Sequence, residues 1–166
     1  MITNNSIFYT WEKCRDRALQ QCALKYWSVK PNRFGLKDLK TAYGRAGSNG
    51  NIEINSAFIG TTAINTLIDT INHELAHLII GLHNGHNRKF KQLERAMNKG
   101  VIIGDNENIQ IIEKIYPLKL YAITDREKIL LGHRHKRSAK FTKYDSFYRP
   151  LIIKGQIIKR FEYLTI

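Results

Sequence analysis

The chain has 166 residues, 43% of them hydrophobic, and carries 27 Lys/Arg against 14 Asp/Glu, a formal net charge of +13. That length suits one compact domain, or one with a small appendage. No apolar run approaches the roughly 20 residues of a membrane span, and residues 1–10 lack the basic and apolar regions of a secretory leader, so membrane-embedded and exported classes are set aside.

The two cysteines, Cys14 and Cys22, stand eight residues apart. On a helix that is about 12 Å along the axis, too far to pair, which points to a reducing compartment and a cytoplasmic protein. Richness in Ile, Asn and Lys fits an AT-rich genome of a phage or a low-GC bacterium, and the cytoplasm would be the host's if the chain is phage-encoded. The positive charge is uneven. Residues 117–166 hold twelve Lys/Arg against four Asp/Glu, and residues 86–99 hold five against one. A cationic surface of that size attracts polyanions, nucleic acid foremost.

Residues 6–29 read as a first helix, with Ile7, Phe8, Trp11, Cys14, Ala18, Cys22 and Trp27 recurring near helical spacing and Pro31 ending it. Two strands follow, 34–43 and 51–59, joined by a Gly/Ser/Asn-rich turn at 44–50. Ile52 and Ile54 alternate with Glu53 and Asn55, as in a half-buried strand.

Residues 62–81 predict an amphipathic helix. Ile64, Leu67, Ile68, Ile71, Leu75, Leu78 and Ile79 form one stripe, Thr61 or Thr62 suits the N-cap, and Gly81 suits the stop. Its last turns carry His73-Glu74-Leu75-Ala76-His77, an H-E-x-x-H motif. Histidines at i and i+4 share one face and can share a metal ion, and the intervening glutamate can reach a water beside that metal as a general base. This is the pattern of a zinc-dependent hydrolase acting on peptide bonds. The expected ligands of Zn²⁺ are His73, His77 and a loop histidine, with Glu74 as the catalytic residue. His83 stands at the metzincin distance, but that pattern wants glycine at position 80, where this chain has Ile80. His86, nine residues after His77, is the other candidate, and spacing alone leaves both open.

From His73 to Phe90 the sequence resembles the SprT-like (Spartan-like) metallopeptidases. That family places H-E-x-x-H on a helix, then a loop of variable length, then a third histidine with an aromatic residue four positions on. His86 and Phe90 match this spacing, although Asn87 stands where the family often has glycine, so the resemblance makes His86 the favoured third ligand and leaves His83 as the alternative. The resemblance covers roughly residues 6–100. It implies an α+β fold with a minimal zincin-like metallopeptidase domain: first helix, small sheet, H-E-x-x-H helix, and a further helix at about 87–99 with Phe90, Leu93 and Met97 inward and Gly100 as cap. It also implies a zinc peptidase associated with DNA, acting on proteins bound there. In zincins an edge strand commonly holds the substrate peptide, and one of the strands before the motif is the candidate.

The expected organisation is a catalytic domain at 1–100, a connector at 101–116 with a turn at Gly104-Asp105-Asn106, and a basic β-rich subdomain at 117–166. Strands are expected at 118–123, 129–135, 139–144, and at 151–153 paired with 157–163. Many SprT-like proteins carry a four-cysteine zinc ribbon here. No cysteine follows Cys22, so that ribbon is excluded, and Tyr121, Leu131, Phe141, Tyr148 and Phe161 are the expected packing in its place. The run His133-Arg134-His135-Lys136-Arg137, with Lys140 and Lys143 and nearby aromatics, is the strongest nucleic-acid signal. Arg134, Lys136, Arg137, Lys140 and Lys143 are the candidate contacts to DNA, single-stranded if the aromatics stack on bases. Two other functions fit the same residues: nucleic-acid binding on a zincin scaffold with a structural or weakly active metal, and a metallohydrolase with one dedicated target.

Overall fold

The computed structural model describes residues 1–166 and is α+β. It divides into two compact units, Met1–Ile111 and Ile112–Ile166.

The first unit opens with α1 (Asn4–Gln21). Thr3 and Ser6 form a reciprocal capping box at its start. Ile7, Trp11, Cys14 and Ala18 make its buried stripe. The helix ends earlier than the periodicity predicts. Cys22 is already extended, and its carbonyl accepts from the Trp27 indole at 2.8 Å, so Trp27 is buried from a 3₁₀ turn and not from a continuing helix.

The sheet also differs from the expected hairpin. Strands β1 (Phe34–Lys37), β2 (Gly44–Ala46) and β3 (Ile52–Asn55) lie in the order β1-β3-β2. Strand β3 pairs with β1 in parallel and with β2 antiparallel. Gly44-Arg45-Ala46, expected as turn, is thus an edge strand, and the turn itself is confined to residues 47–50. The buried Asn55 explains the path. Its side-chain amide donates to the carbonyls of Leu39 at 2.6 Å and Ala42 at 2.8 Å, folding that loop back so that β2 returns beside β3.

Helix α2 (Ile64–Ile80) buries Leu67, Ile71, Leu75 and Leu78 completely. Neither Thr61 nor Thr62 caps it; the N-cap position is Ala63, which offers no side-chain acceptor. The carboxylate of Glu107 serves instead, accepting from the Thr66 amide at 2.8 Å and its hydroxyl at 3.1 Å. Glu107 belongs to α4 (Asp105–Ile115), a helix in the stretch expected as a connector. Two acidic residues in its first turn and the buried Ile111 and Ile115 account for it. Between these helices lies α3 (Arg88–Met97), with Phe90 and Met97 buried. Its C-cap is Asn98; Gly100 lies two residues beyond, with a left-handed φ of +84°.

In the second unit β4 (Leu118–Ile123) is central to an antiparallel sheet in the order β5-β4-β8, with β5 at Lys128–Arg134 and β8 at Arg160–Thr165. The strand expected at 139–144 is absent: Ala139–Thr142 form a short helix, α5. The expected second hairpin strand is split: β6 (Ile152–Ile153) pairs only with β7 (Gln156–Ile157), and β8 pairs with β4 instead. The small core is Leu120, Ala122 and Ile158, with Phe161 meeting the rings of Phe141 at 4.9 Å and Tyr144 at 4.8 Å. Tyr148, expected in that core, is 79% exposed. No helix is long and apolar enough to cross a membrane.

Candidate metal centre

The cluster begins at the end of α2. The last carbonyls of this helix have partners from an earlier segment: Val29 N–H donates to Leu78 at 2.9 Å and Ser28 N–H to Ile79 at 3.1 Å. Gly81, at φ +100°, breaks the helix where a side chain would be strained. A 3₁₀ turn at Leu82–Asn84 and Gly85, at φ +52°, then reverse the chain. Asn87 caps α3 by accepting from the Phe90 amide at 2.9 Å. The residue delivered opposite His73 and His77 by this reversal is His86.

One nitrogen from each of His73, His77 and His86 lies within 4.8 Å of the others. His77 Nε2 and His86 Nε2 are 3.1 Å apart. Two nitrogens on a tetrahedral zinc at bond lengths of about 2.0–2.1 Å would stand about 3.3 Å apart. The ring of Phe90, 1% exposed, forms the floor, with its centroid 5.1, 4.6 and 4.8 Å from those of His73, His77 and His86. The aromatic residue at the fourth position after His86 therefore packs against all three imidazoles.

Electrostatics favour a neutral His77. Burial, reinforced by His73 and His86, lowers the His77 pKa to about 4. Its ring is thus unprotonated at neutral pH, as a metal ligand must be. The buried Nδ1 of His77 has no hydrogen-bond partner. His73 Nδ1 lies 2.6 Å from Glu94 Oε1, which leaves Nε2 for the cluster. Three imidazole nitrogens at this spacing suit Zn²⁺ in number and chemistry. His83 stays out of the group. It is exposed on the 3₁₀ turn, with Nε2 3.1 Å from the Asn84 side-chain nitrogen.

Glu74 is 7% exposed and lies under β2. Burial raises its pKa, opposed by His73 and by the Ala46 backbone amide. A carboxyl raised toward neutrality exchanges protons more readily near pH 7 than an exposed one.

The SprT-like family model matches residues 8–112, more than half of the chain. The chain belongs to the SprT-like family. The match ends at the boundary of the first compact unit and takes in both the motif helix and α3. No curated protein and no solved structure matches the chain. SprT-like membership carries a metallopeptidase-like character, and the three clustered histidines are consistent with zinc.

The basic residues singled out in the tail all lie in the second unit. Arg134 Nη1 donates to the His133 carbonyl at 2.8 Å. Arg137 sits over the Tyr163 ring at 5.9 Å, and Lys140 over Phe141 at 5.4 Å. Lys136 is exposed, and Lys140 and Lys143 border a groove of about 510 Å³ with Tyr144, Tyr148 and Arg149. Sequence reasoning missed two site residues. Glu94 was legible as an acid inside the apolar stripe of α3, four residues after Phe90 and three before Met97. Gly44 was hidden inside a run that reads as turn.

Proposed function

We propose that the chain is a zinc-dependent endopeptidase of zincin type, with His73, His77 and His86 as ligands, Glu74 as general base, and DNA-bound proteins as substrates. The observation that carries the reading is the convergence of three imidazole nitrogens next to a buried glutamate of raised pKa. Zinc bound there supplies Lewis acidity, polarising a carbonyl and lowering the pKa of water to about 7. Glu74 takes a proton from the attacking water onto its carboxylate and returns it to the leaving amine. Strand β2 has one unpaired edge, and its residues pack over Glu74. A substrate in extended form adds to that edge, bringing its backbone past the histidines. His86 is exposed, so the site is open to a protein chain and not restricted to a small molecule.

The DNA part of the proposal is supported by the second unit. Lys119, Lys128, Lys154, Lys159 and Arg160 have carboxylate partners. No such partner engages Lys136, Arg137, Lys140 or Lys143. Phe147 is 86% exposed beside Tyr148. Cations without carboxylate partners, two of them in one groove with the exposed Tyr148, suit single strands: the cations neutralise phosphates and the rings stack on bases.

The test is cleavage of casein and histone by zinc-loaded protein, with and without single-stranded DNA, beside Glu74→Gln. Cleavage that needs Glu74 and rises with DNA is the expected result. Salt-dependent DNA binding without Glu74-dependent cleavage would replace the reading with a binding protein on this scaffold. Cleavage of one protein regardless of DNA would replace the DNA-linked role with a dedicated target.

A further inference from the structure

One carboxylate hydrogen-bonds an imidazole of the cluster, and it comes from outside the motif. Glu94, in the middle of α3, places Oε1 2.6 Å from His73 Nδ1, and the two side chains are 26% and 31% exposed. We infer that Glu94 is the positioning residue of the metal centre: its carboxylate accepts the Nδ1–H of His73, selects the tautomer with a lone pair on Nε2, and fixes that ring toward His77 and His86. The inference rests on the zinc reading and assigns the part of the site that the motif does not contain.

Three observations support it. A neutral imidazole interconverts between two tautomers, and an acceptor at Nδ1 selects the one that can ligate through Nε2. The other rings lack such help: His77 Nδ1 has no partner, and His86 is exposed. Glu94 also shares a helix face with the buried Phe90 and Met97, which turns its side chain toward the cluster that Phe90 floors.

The helix that carries Glu94 is held against α2 by polar contacts at its C-terminal end. One turn beyond Glu94, Asn98 donates to Asp69 at 2.5 Å, and Asp69 lies one turn before His73. Between them Asn72 donates to Asn98 Oδ1 at 2.7 Å and to the Met97 carbonyl at 3.2 Å. Asp69, Asn72 and His73 on one helix thus meet Glu94, Met97 and Asn98 at the other. Since α3 follows directly on His86, the contacts that seat it set two of the three histidines together: His86 through the chain, His73 through Glu94.

The experiment measures Zn²⁺ affinity of the full chain by competition with a chromogenic chelator, for wild type, Glu94→Gln and Glu94→Ala. Thermal midpoints of the metal-free proteins and the visible spectrum of the Co²⁺ forms are recorded alongside. Glu94→Ala is expected to weaken zinc binding about 10–100-fold. Glu94→Gln, which keeps an acceptor oxygen but loses the charge, should fall between it and wild type. Both should alter the Co²⁺ spectrum. Unchanged affinity and spectrum in folded variants overturn the inference, and if Glu94→Ala does not fold, the same result from Glu94→Gln does so. A wild-type chain that takes no zinc sinks the proposed function and this inference with it; a wild type that binds, with variants binding equally well, sinks the inference alone.

Discussion

Gly44 lies so close to Glu74 that a β-carbon on it would stand 3.0 Å from Cγ and 3.2 Å from Oε1 of the glutamate, and 2.8 Å from Cγ2 of Thr70. The absence of a side chain at 44 lets the edge strand run over Glu74, the proposed general base, without displacing it. Gly44→Ala must therefore shift β2, or push Thr70 and the carboxylate aside by a few tenths of an ångström. Turnover should fall about 10–100-fold, since small misplacements of a reacting group are costly. The imidazoles are not touched, so zinc content should stay at the wild-type level. Metal analysis beside peptidase kinetics checks both halves, and a variant of full activity would show that β2 does not constrain Glu74.

Glu74→Gln separates catalysis from stability. The amide cannot take a proton, so turnover should drop by about 10²–10⁴-fold with zinc still bound. Stability should move the other way. The folded-state pKa of Glu74 is raised, so the ionised carboxylate costs the fold free energy at pH 7. This cost disappears as pH falls below the unfolded value of 4.5, where the group is protonated in both states. Metal-free Glu74→Gln should therefore melt higher than metal-free wild type at pH 7, with the gap closing toward pH 4. Equal melting at pH 7 would contradict the buried-charge account.

The motif helix and its third histidine were legible because seven apolar residues repeat at helical spacing and His86 precedes Phe90 by four. Burial then follows the stripe at Leu67, Ile71, Leu75, Leu78 and Ile79, while Ile64 is exposed and Ile68 half-buried. The edge strand was not legible: Gly44-Arg45-Ala46 has no apolar alternation, and it exists because Asn55 folds the preceding loop back through two carbonyls far along the chain. The end of α1 was overestimated for a related reason. Trp27 recurs at helical spacing, yet it is held by a hydrogen bond to Cys22 from a different backbone geometry. Partners 21 residues apart, such as His73 and Glu94, leave no trace in local pattern beyond an acid where an apolar residue was due.

The cap that Glu107 provides can be tested directly. Its carboxylate accepts two bonds from Thr66 and one from Asn65 at 3.1 Å, at the start of the helix that carries the histidines. Glu107→Ala removes these and leaves the Thr66 amide without its acceptor. A loss of about 1–2 kcal/mol is expected, in the range of other N-cap deletions. Urea midpoints of metal-free wild type and variant measure it. A change under a few tenths of a kcal/mol would mean that water replaces the carboxylate without cost.

The two thiols should behave differently. Cys14 is 1% exposed, and burial pushes its pKa up to about 11, whereas Cys22 is half-buried at the helix end. Reactivity follows the thiolate and access to it. One thiol per native chain should react with a disulfide reagent at pH 8, and two after denaturation. The same shift predicts a stability change. Between the unfolded value of 9.0 and about 11 the unfolded chain loses the proton and the folded chain keeps it, so stability should fall as pH rises through that window. Cys14→Ala should remove this contribution to the alkaline decline.

Charge and stacking in the second unit can be told apart by salt. Lys140 and Lys143 lie on and beside α5 at one groove, with Lys136 and Arg137 just before it in the chain. Each phosphate that a variant no longer neutralises should reduce the slope of log affinity against log salt by about 0.7 for a single strand. Replacing Arg137, Lys140 and Lys143 together by alanine should therefore flatten the salt dependence of binding to an oligothymidine probe. Phe147→Ala with Tyr148→Ala should act in another way, lowering affinity at every salt concentration and leaving the slope unchanged, because stacking releases no counterions. The neutral rings and the cations then contribute separately. A triple variant with the wild-type slope would move the phosphate-binding residues elsewhere, and wild-type binding that ignores salt would remove nucleic acid as the partner of this unit.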